Sequence, residues 1–236
     1  MNDTGRLALP LLQPAQAQKH VTVNEALMRL DGLVNLVLIS RSETLPPAVV
    51  TDGACYGVPE GAVNGWAGQA GAVAIGSNGG WVFAHPQRGW RAFVADENRA
   101  ALHDGEDWLA GGLALSPGGA GLLAGVAEID HVLVAGASNS TVPIIPSHAM
   151  VIGVSARVIA PIGGTLSTWQ MGNAGAPDRF GSGLGLTAGS WARGMLSQPM
   201  TFWSPTELLL SAIGGDFADG TLRLAAHYLE IALPKP

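Results

Sequence analysis

Cysteine is almost absent from this 236-residue chain: Cys55 stands alone, which excludes an internal disulfide and any metal site built from cysteines. Charge is scarce too, with Asp, Glu, Lys and Arg at 13% of residues and a net charge of −6. The twelve Lys and Arg are scattered, so no basic stripe exists to neutralise a phosphate backbone, and nucleic acid is excluded as a partner. Long hydrophobic runs are missing as well. The longest, Leu33 to Ile39, is broken by Asn35 and falls far short of the ~20 residues that span a bilayer, so membrane insertion is not expected. The six histidines, at 20, 85, 103, 131, 148 and 227, never fall at metal-ligand spacings, and no metal is expected. Met1 to Pro10 lacks the charged region, apolar core and cleavage site of a signal peptide, which sets an expectation of cytoplasmic synthesis.

What is present is apolar and rich in turns: 47% hydrophobic residues, 33 glycines and 15 prolines, a composition comfortable inside an assembly. Val21 to Ser40 is the one stretch with a helical pattern. Thr22 and Glu25 stand three apart before an apolar run, the spacing of a capping box. Val23, Leu27, Leu30, Val34 and Val37 then recur at heptad spacing, with Glu25, Arg29, Asp31 and Asn35 off the stripe. Such a seam packs against copies of itself or lies on its own domain, and two heptads do not choose between these. Gly32 weakens the helix either way by roughly 1 kcal/mol. Ahead of it, Leu7 to Lys19 contains Pro10, Pro14 and a run of Gln13, Gln16 and Gln18, the makings of an extended arm that ties a subunit to its neighbour.

Downstream the pattern turns to strands. One is expected near Ala48 to Tyr56, another at Gly89 to Val94. Asn78-Gly79 and Asp104-Gly105 are dipeptides that accept positive φ, so each predicts a tight hairpin, with Val73–Ile75 against Trp81–Phe83 and Ala101–His103 against Trp108. Trp66, Trp81, Trp90 and Trp108 fall in this region. Tryptophans in small glycine-rich sheets supply the core that short strands lack, or form a platform for sugar rings. From Ala110 to Gly125 the glycines predict a linker or a loosely packed bridge. The second half reads as strands at Ile129–Val134, Met150–Val158, Thr165–Gln170, Met200–Trp203, Glu207–Ile213 and Thr221–Ile231. Met150 to Val158 alternates with a clean period of two, which places one face in a core. The expectation is a mainly β chain: N-terminal arm (1–20), helix and small Trp-rich β domain (21–109), Gly-rich linker (110–127), and an antiparallel β-sandwich of jelly-roll type (128–236).

The opening run from Leu9-Pro10-Leu11-Leu12-Gln13-Pro14 through Lys19-His20-Val21-Thr22-Val23-Asn24-Glu25-Ala26-Leu27, with Gly89-Trp90-Arg91-Ala92-Phe93-Val94-Ala95-Asp96-Glu97 and the Asp104-Gly105 to Trp108 turn, resembles an uncharacterised domain of phage and prophage structural proteins that also occurs in the gene transfer agents of alphaproteobacteria. The second half is similar to the β-sandwich that follows this domain, most clearly at Asp178 to Gly185 and Gly214 to Phe217. The resemblance implies a virion location, as a head spike or fibre that adsorbs to host capsular polysaccharide, with other virion proteins at a capsid vertex or fibre base as partners. It supplies no catalytic residue.

The residues themselves offer little catalytic chemistry. Gly181, Gly183 and Gly185 lack the strand-then-helix context of a dinucleotide loop, and Ser182 has Phe180 where a nucleophile elbow needs glycine, so no cofactor is expected. Asp178, Glu207, Asp216 and Asp219 could supply the two carboxylates of a glycosidase, but sequence separation brings no pair together. A sugar-binding site asks less: an aromatic face plus a few amide, carboxylate or guanidinium groups. Trp169, Gln170, Asn173, Asp178, Arg179 and Phe180 have those types together, although Asp178 and Arg179 could simply pair with each other in a solvated turn. The leading expectation is therefore a non-enzymatic, homo-oligomeric spike or fibre subunit, oligomerised through the Val23 to Val37 seam and binding host polysaccharide. The alternatives are a purely structural subunit carrying another receptor-binding protein, and a depolymerase.

Overall fold

Asn35 takes a left-handed backbone conformation (φ 48°), and the helix ahead of it stops there: α1 spans Lys19–Leu33 instead of running on to Ser40. Asparagine tolerates this conformation and commonly ends helices in it. The computed structural model describes residues 3–12 and 19–236; the Gln13, Gln16 and Gln18 run lies outside the described residues. Because the helix already runs from Lys19, Thr22 sits within it and not at its start, and Glu25 pairs with Arg29 one turn on (3.8 Å). The predicted seam is split. Val23, Leu27 and Leu30 are on the helix, Val34 follows it, and Val37 begins a strand.

Two compact units divide the chain, Met1–Gly119 with Lys235 and Ala120–Pro234 with Pro236. In the first, residues 3–12 do not reach away as an arm. They fold back onto α1, around the wholly buried Asp31. Asp31 accepts from the Thr4 hydroxyl (2.7 Å) and from the amides of Arg6 (2.9 Å) and Leu7 (2.5 Å), while Arg6 Nη1 donates to the carbonyl of Gly32 (2.8 Å). Asn24 exchanges hydrogen bonds with the backbone of Leu12. A short polar residue off the apolar stripe thus becomes the anchor, because a buried carboxylate must be fully hydrogen-bonded to be tolerated.

The sheet beneath α1 comprises β1 (Val37–Leu38), β2 (Cys55–Gly57), β3 (Val73–Ser77), β4 (Gly80–Ala84), β5 (Arg91–Val94), β6 (Arg99–His103) and β7 (Trp108–Ala110), in the order β4-β3-β2-β1-β5-β6-β7. β1 is parallel to both neighbours, and the remaining pairs are antiparallel. The expected strand at Ala48–Tyr56 shrinks to β2, the backbone being turned at Gly53 (φ 80°) just before it. Alternation along β2 and β3 sends Cys55, Val73 and Ile75 to one buried cluster and Tyr56 and Ala74 to another. Gly32 lets α1 lie on the first: a Cβ there would come within 2.7 Å of Ile75 Cγ2. Burial pushes the Cys55 thiol up to about 11, so it stays protonated and inert at neutral pH. On the other face Tyr56, Trp66 and Trp81 make edge and tilted contacts with centroids 5.2–5.8 Å apart, so these tryptophans serve the core.

The β3–β4 hairpin turns at Asn78 (φ 51°) and Gly79 (φ 75°), as their sequence predicts. The β6–β7 connection is longer than a two-residue turn. Asp104 Oδ1 accepts from the amides of Glu106 (2.9 Å) and Asp107 (2.8 Å), and this side-chain-capped loop replaces the tight turn that Asp-Gly suggested. Residues 110–127 are not an unstructured linker: they hold β8 (Gly112–Leu115) and the first half of β9 (Gly121–Val132). Gly125 is there for packing, since its missing Cβ would lie 2.4 Å from the Tyr228 ring.

The second unit adds β10 (Ser138–Ser140), β11 (Ala149–Gly164), β12 (Thr168–Asn173), β13 (Ala176–Leu184), β14 (Trp191–Phe202), β15 (Leu209–Ile213) and β16 (Phe217–Ala232). Its long strands follow the order β14-β11-β16-β9, and its shorter ones β10-β15-β12-β13, every pair antiparallel. With β9 counted as first and β16 as eighth, the orders read 6-3-8-1 and 2-7-4-5. Strands 1 and 8, 2 and 7, 3 and 6, and 4 and 5 are partners, the arrangement of a jelly roll, in which one long hairpin of four strands against four is wound into two sheets. The sandwich expected from the alternation is present. Between the sheets Val151, Val154 and Leu224 meet Trp169, Met171 and Phe180 in one apolar core.

Candidate functional site

The outer face of the long-strand sheet collects the exposed aromatic and charged side chains of the second unit. Register decides which. Arg157 on β11 lies opposite Trp191 on β14 and Arg223 on β16, and Arg223 lies opposite Asp130 on β9. Two residues along, Ser155 is flanked by Arg193 and Ala225, with Glu128 beyond; next come Gly153, Met195, His227 and Val126. A period of two keeps all three rows on one face, while the intervening Ala156, Ala192 and Leu224 point into the core and are buried.

Trp191 is 65% exposed, and the Arg193 guanidinium carbon lies 5.8 Å from its ring centroid. Arg223 is committed: it donates to both oxygens of Asp130 at 2.7 Å and lies 3.8 Å from Glu128. These hydrogen bonds hold the Asp130 carboxyl below its usual range and Arg223 above its own, so the pair is a fixed ion pair at neutral pH. Arg157 has a long contact from Nη1 to the Gly189 carbonyl (3.4 Å). Among the described residues no carboxylate pairs with Arg157 or Arg193. Ser155 Oγ and His227 Nε2 are 2.9 Å apart. Two depressions of about 410 and 420 Å³ lie on this face and meet at Ser155 and Arg193. An exposed indole beside guanidinium groups that have no carboxylate partner can stack on a sugar ring and bond its substituents.

The residues expected to bind sugar lie elsewhere in the unit. Trp169 to Phe180 lies in the β12–β13 hairpin. Trp169 and Phe180 are each 1% exposed, in the core, so neither ring has a face open to a ligand; Trp169 Nε1 donates to the Gly185 carbonyl (3.0 Å). Arg179 does not pair with Asp178: its Nε donates to Asn173 Oδ1 (2.8 Å) and its Nη1 contacts Met200 Sδ (3.2 Å). Gln170 is half-buried, with Ser182 Oγ at 3.5 Å, and Asp178 is exposed. The hairpin therefore keeps polar groups at its surface without an aromatic platform. Trp191, Arg193 and Met195 carried a legible signal, alternation with Ala192 and Gly194, but a strand was expected only from Met200 onward.

The first unit has its own depression, about 370 Å³, bordered by Glu60, Glu106, Asp107, Trp108 and Arg41. Its guanidinium is already used, donating to both oxygens of Glu97 and to the Trp108 carbonyl. The seam residues Val23, Leu30, Val34 and Val37 are exposed, Leu27 is half-covered, and Met28 is the apolar residue that α1 buries instead.

No helix among the described residues is long and apolar enough to cross a membrane. No curated protein matches the chain. A chain of the cyanophage Pam1 capsid asymmetric unit is similar over 46% of this chain and 84% of its own, at 19% identity and a TM-score of 0.34, too low to carry an argument about fold. Residues 23–109, from within α1 to β7, match the model of a family described as a protein of unknown function, DUF2793.

Proposed function

We propose that this protein is a structural subunit of a phage-like particle, a head spike or fibre of the gene-transfer-agent or prophage kind, and that its jelly roll attaches the particle to host surface polysaccharide. The virion context is supported by the resemblance of Leu9 to Leu27 and Gly89 to Glu97 to the phage and gene-transfer-agent domain. The observation that carries the binding reading is Trp191, an exposed indole in register with Arg157 and two residues from Arg193. Attachment moves in this reading from the Trp169 hairpin to the outer face of the long sheet. The protein is a binder and not an enzyme. Copies joined through Val23, Leu27 and Leu30 on α1, with Val34 beside it, would present many weak sites together, and linked weak sites give firm attachment.

The test is equilibrium binding of the full chain to capsular polysaccharide from a host, with reducing ends assayed in the same tube. Binding without new ends, lost in Trp191→Ala, is the expected result. New reducing ends would make the protein a depolymerase. The exposed Val21, Val23 and Leu30 also favour a purely structural subunit that supports another receptor-binding protein. Capture of a second virion protein, with no polysaccharide bound, would put that reading first.

A further inference from the structure

Charge is distributed unevenly across the outer face of the long sheet. Glu128 and Asp130, both on β9, both engage Arg223. Arg157 and Arg193 lie on β11 and β14, two and three strands away. Glu128 borders the same depression as Arg157, Arg193 and Arg223, and with Asp130 it engages Arg223, so three guanidinium groups stand against two carboxylates here. The Trp191 side of the face is therefore cationic in a protein whose net charge is −6.

We infer that the Trp191 face takes a sugar bearing a carboxylate, with the ring stacked on the indole and the acid group held between Arg157 and Arg193. The inference rests on the carbohydrate reading above and narrows its ligand to acidic polysaccharide. Guanidinium forks match carboxylates in geometry, and each such bond is charge-assisted. An aromatic ring beside two guanidinium groups that have no carboxylate partner suits one acid per sugar. It does not suit a nucleic-acid backbone, which would need basic groups along an extended track. Arg223 is not part of the recognition: Asp130 already occupies its Nε–Nη2 edge and neutralises its charge.

The decisive probe is a matched pair of polymers, polygalacturonate and its fully methyl-esterified form, which share a sugar backbone and differ in charge. The full-length protein is expected to bind the acid form at least about tenfold more tightly at low salt, and added salt should erode that preference. The Arg157→Gln/Arg193→Gln double variant should lose the preference while keeping whatever affinity the ester shows. Trp191→Ala should weaken both. These side chains are on the surface, so unchanged thermal unfolding will show that the variants fold. Equal binding of acid and ester, or a preference that survives the double substitution, overturns the acidic-sugar assignment and leaves glycan attachment standing. Binding to a neutral capsular polysaccharide but not to polygalacturonate has the same meaning. Failure to bind either polymer or any capsular polysaccharide overturns both.

Discussion

Lys235 and Asp104 form an ion pair, Nζ to Oδ2 at 2.9 Å, in which the carboxylate side chain is only 1% exposed. The Lys235 amide also donates to the Gly118 carbonyl (2.9 Å), and Nζ reaches Glu106 at 2.7 Å. Burial alone would raise the Asp104 pKa. The amides of Asp107 and Glu106 and the lysine outweigh it and hold the carboxyl at about 2. A carboxyl lowered from the ordinary ~3.9 stabilises the fold fully above that value, and the contribution disappears as pH falls from about 4 to about 2. The first unit should lose on the order of 2 kcal/mol across that window. Asp104→Asn should flatten the acid limb of its stability curve, measured by denaturant unfolding at several pH values.

Asp31 is predicted to be the residue on which residues 3–12 depend. Asp31→Ala strips acceptors from the Thr4 hydroxyl and from the amides of Arg6 and Leu7, a loss of about 3 kcal/mol or more for a buried, hydrogen-bonded charge. Limited proteolysis should then cut within residues 3–12 before the rest of the first unit is attacked. Equal protection of wild type and variant would show that the segment is held by something else.

Two tryptophans of one jelly roll should behave in opposite ways. Trp169→Ala opens a cavity in the core and is expected to cost about 3–5 kcal/mol. Trp191→Ala, on the surface, should change stability by less than about 0.5 kcal/mol while weakening polysaccharide binding. Chemical denaturation and binding measured on the same two variants check both halves.

Oligomerisation through α1 predicts that Leu30→Glu lowers the mass of the particle-forming species toward that of one chain in analytical ultracentrifugation, with little effect on unfolding. Leu30 is 48% exposed within a single chain, so a charge there disturbs contacts between copies and not the chain's own core. An unchanged sedimentation profile would remove the seam from consideration.

Much of the second unit could be read from the chain because a strand's alternation is local. Met150 to Val158 states its own period, and β11 simply extends it to Gly164. The hairpin at Asn78-Gly79 is legible for a similar reason, since positive φ is a property of the residues in the turn. The ends of elements were less legible. Asn35 could have been a helical residue or a terminator, and what made it a terminator is the strand that follows, Val37–Leu38, held between β2 and β5. The glycines of 110–127 suit a linker and equally suit a strand that must pass close to Tyr228.

In the proposed reading the candidate site moves from Trp169 to Trp191, for a physical reason of the same kind. Trp169 and Trp191 both stand in strands beside arginines and turns, and nothing within either segment says which side of its sheet another sheet will cover. Local composition, period and turn chemistry determined that this chain is mainly β, with one helix near its start and a sandwich in its second half. Only the tertiary structure decided that Asp31 is buried, that Trp169 is core, and that Trp191, Arg157 and Arg193 share an open face. Burial is a property of two surfaces meeting, and each strand carries only one of them.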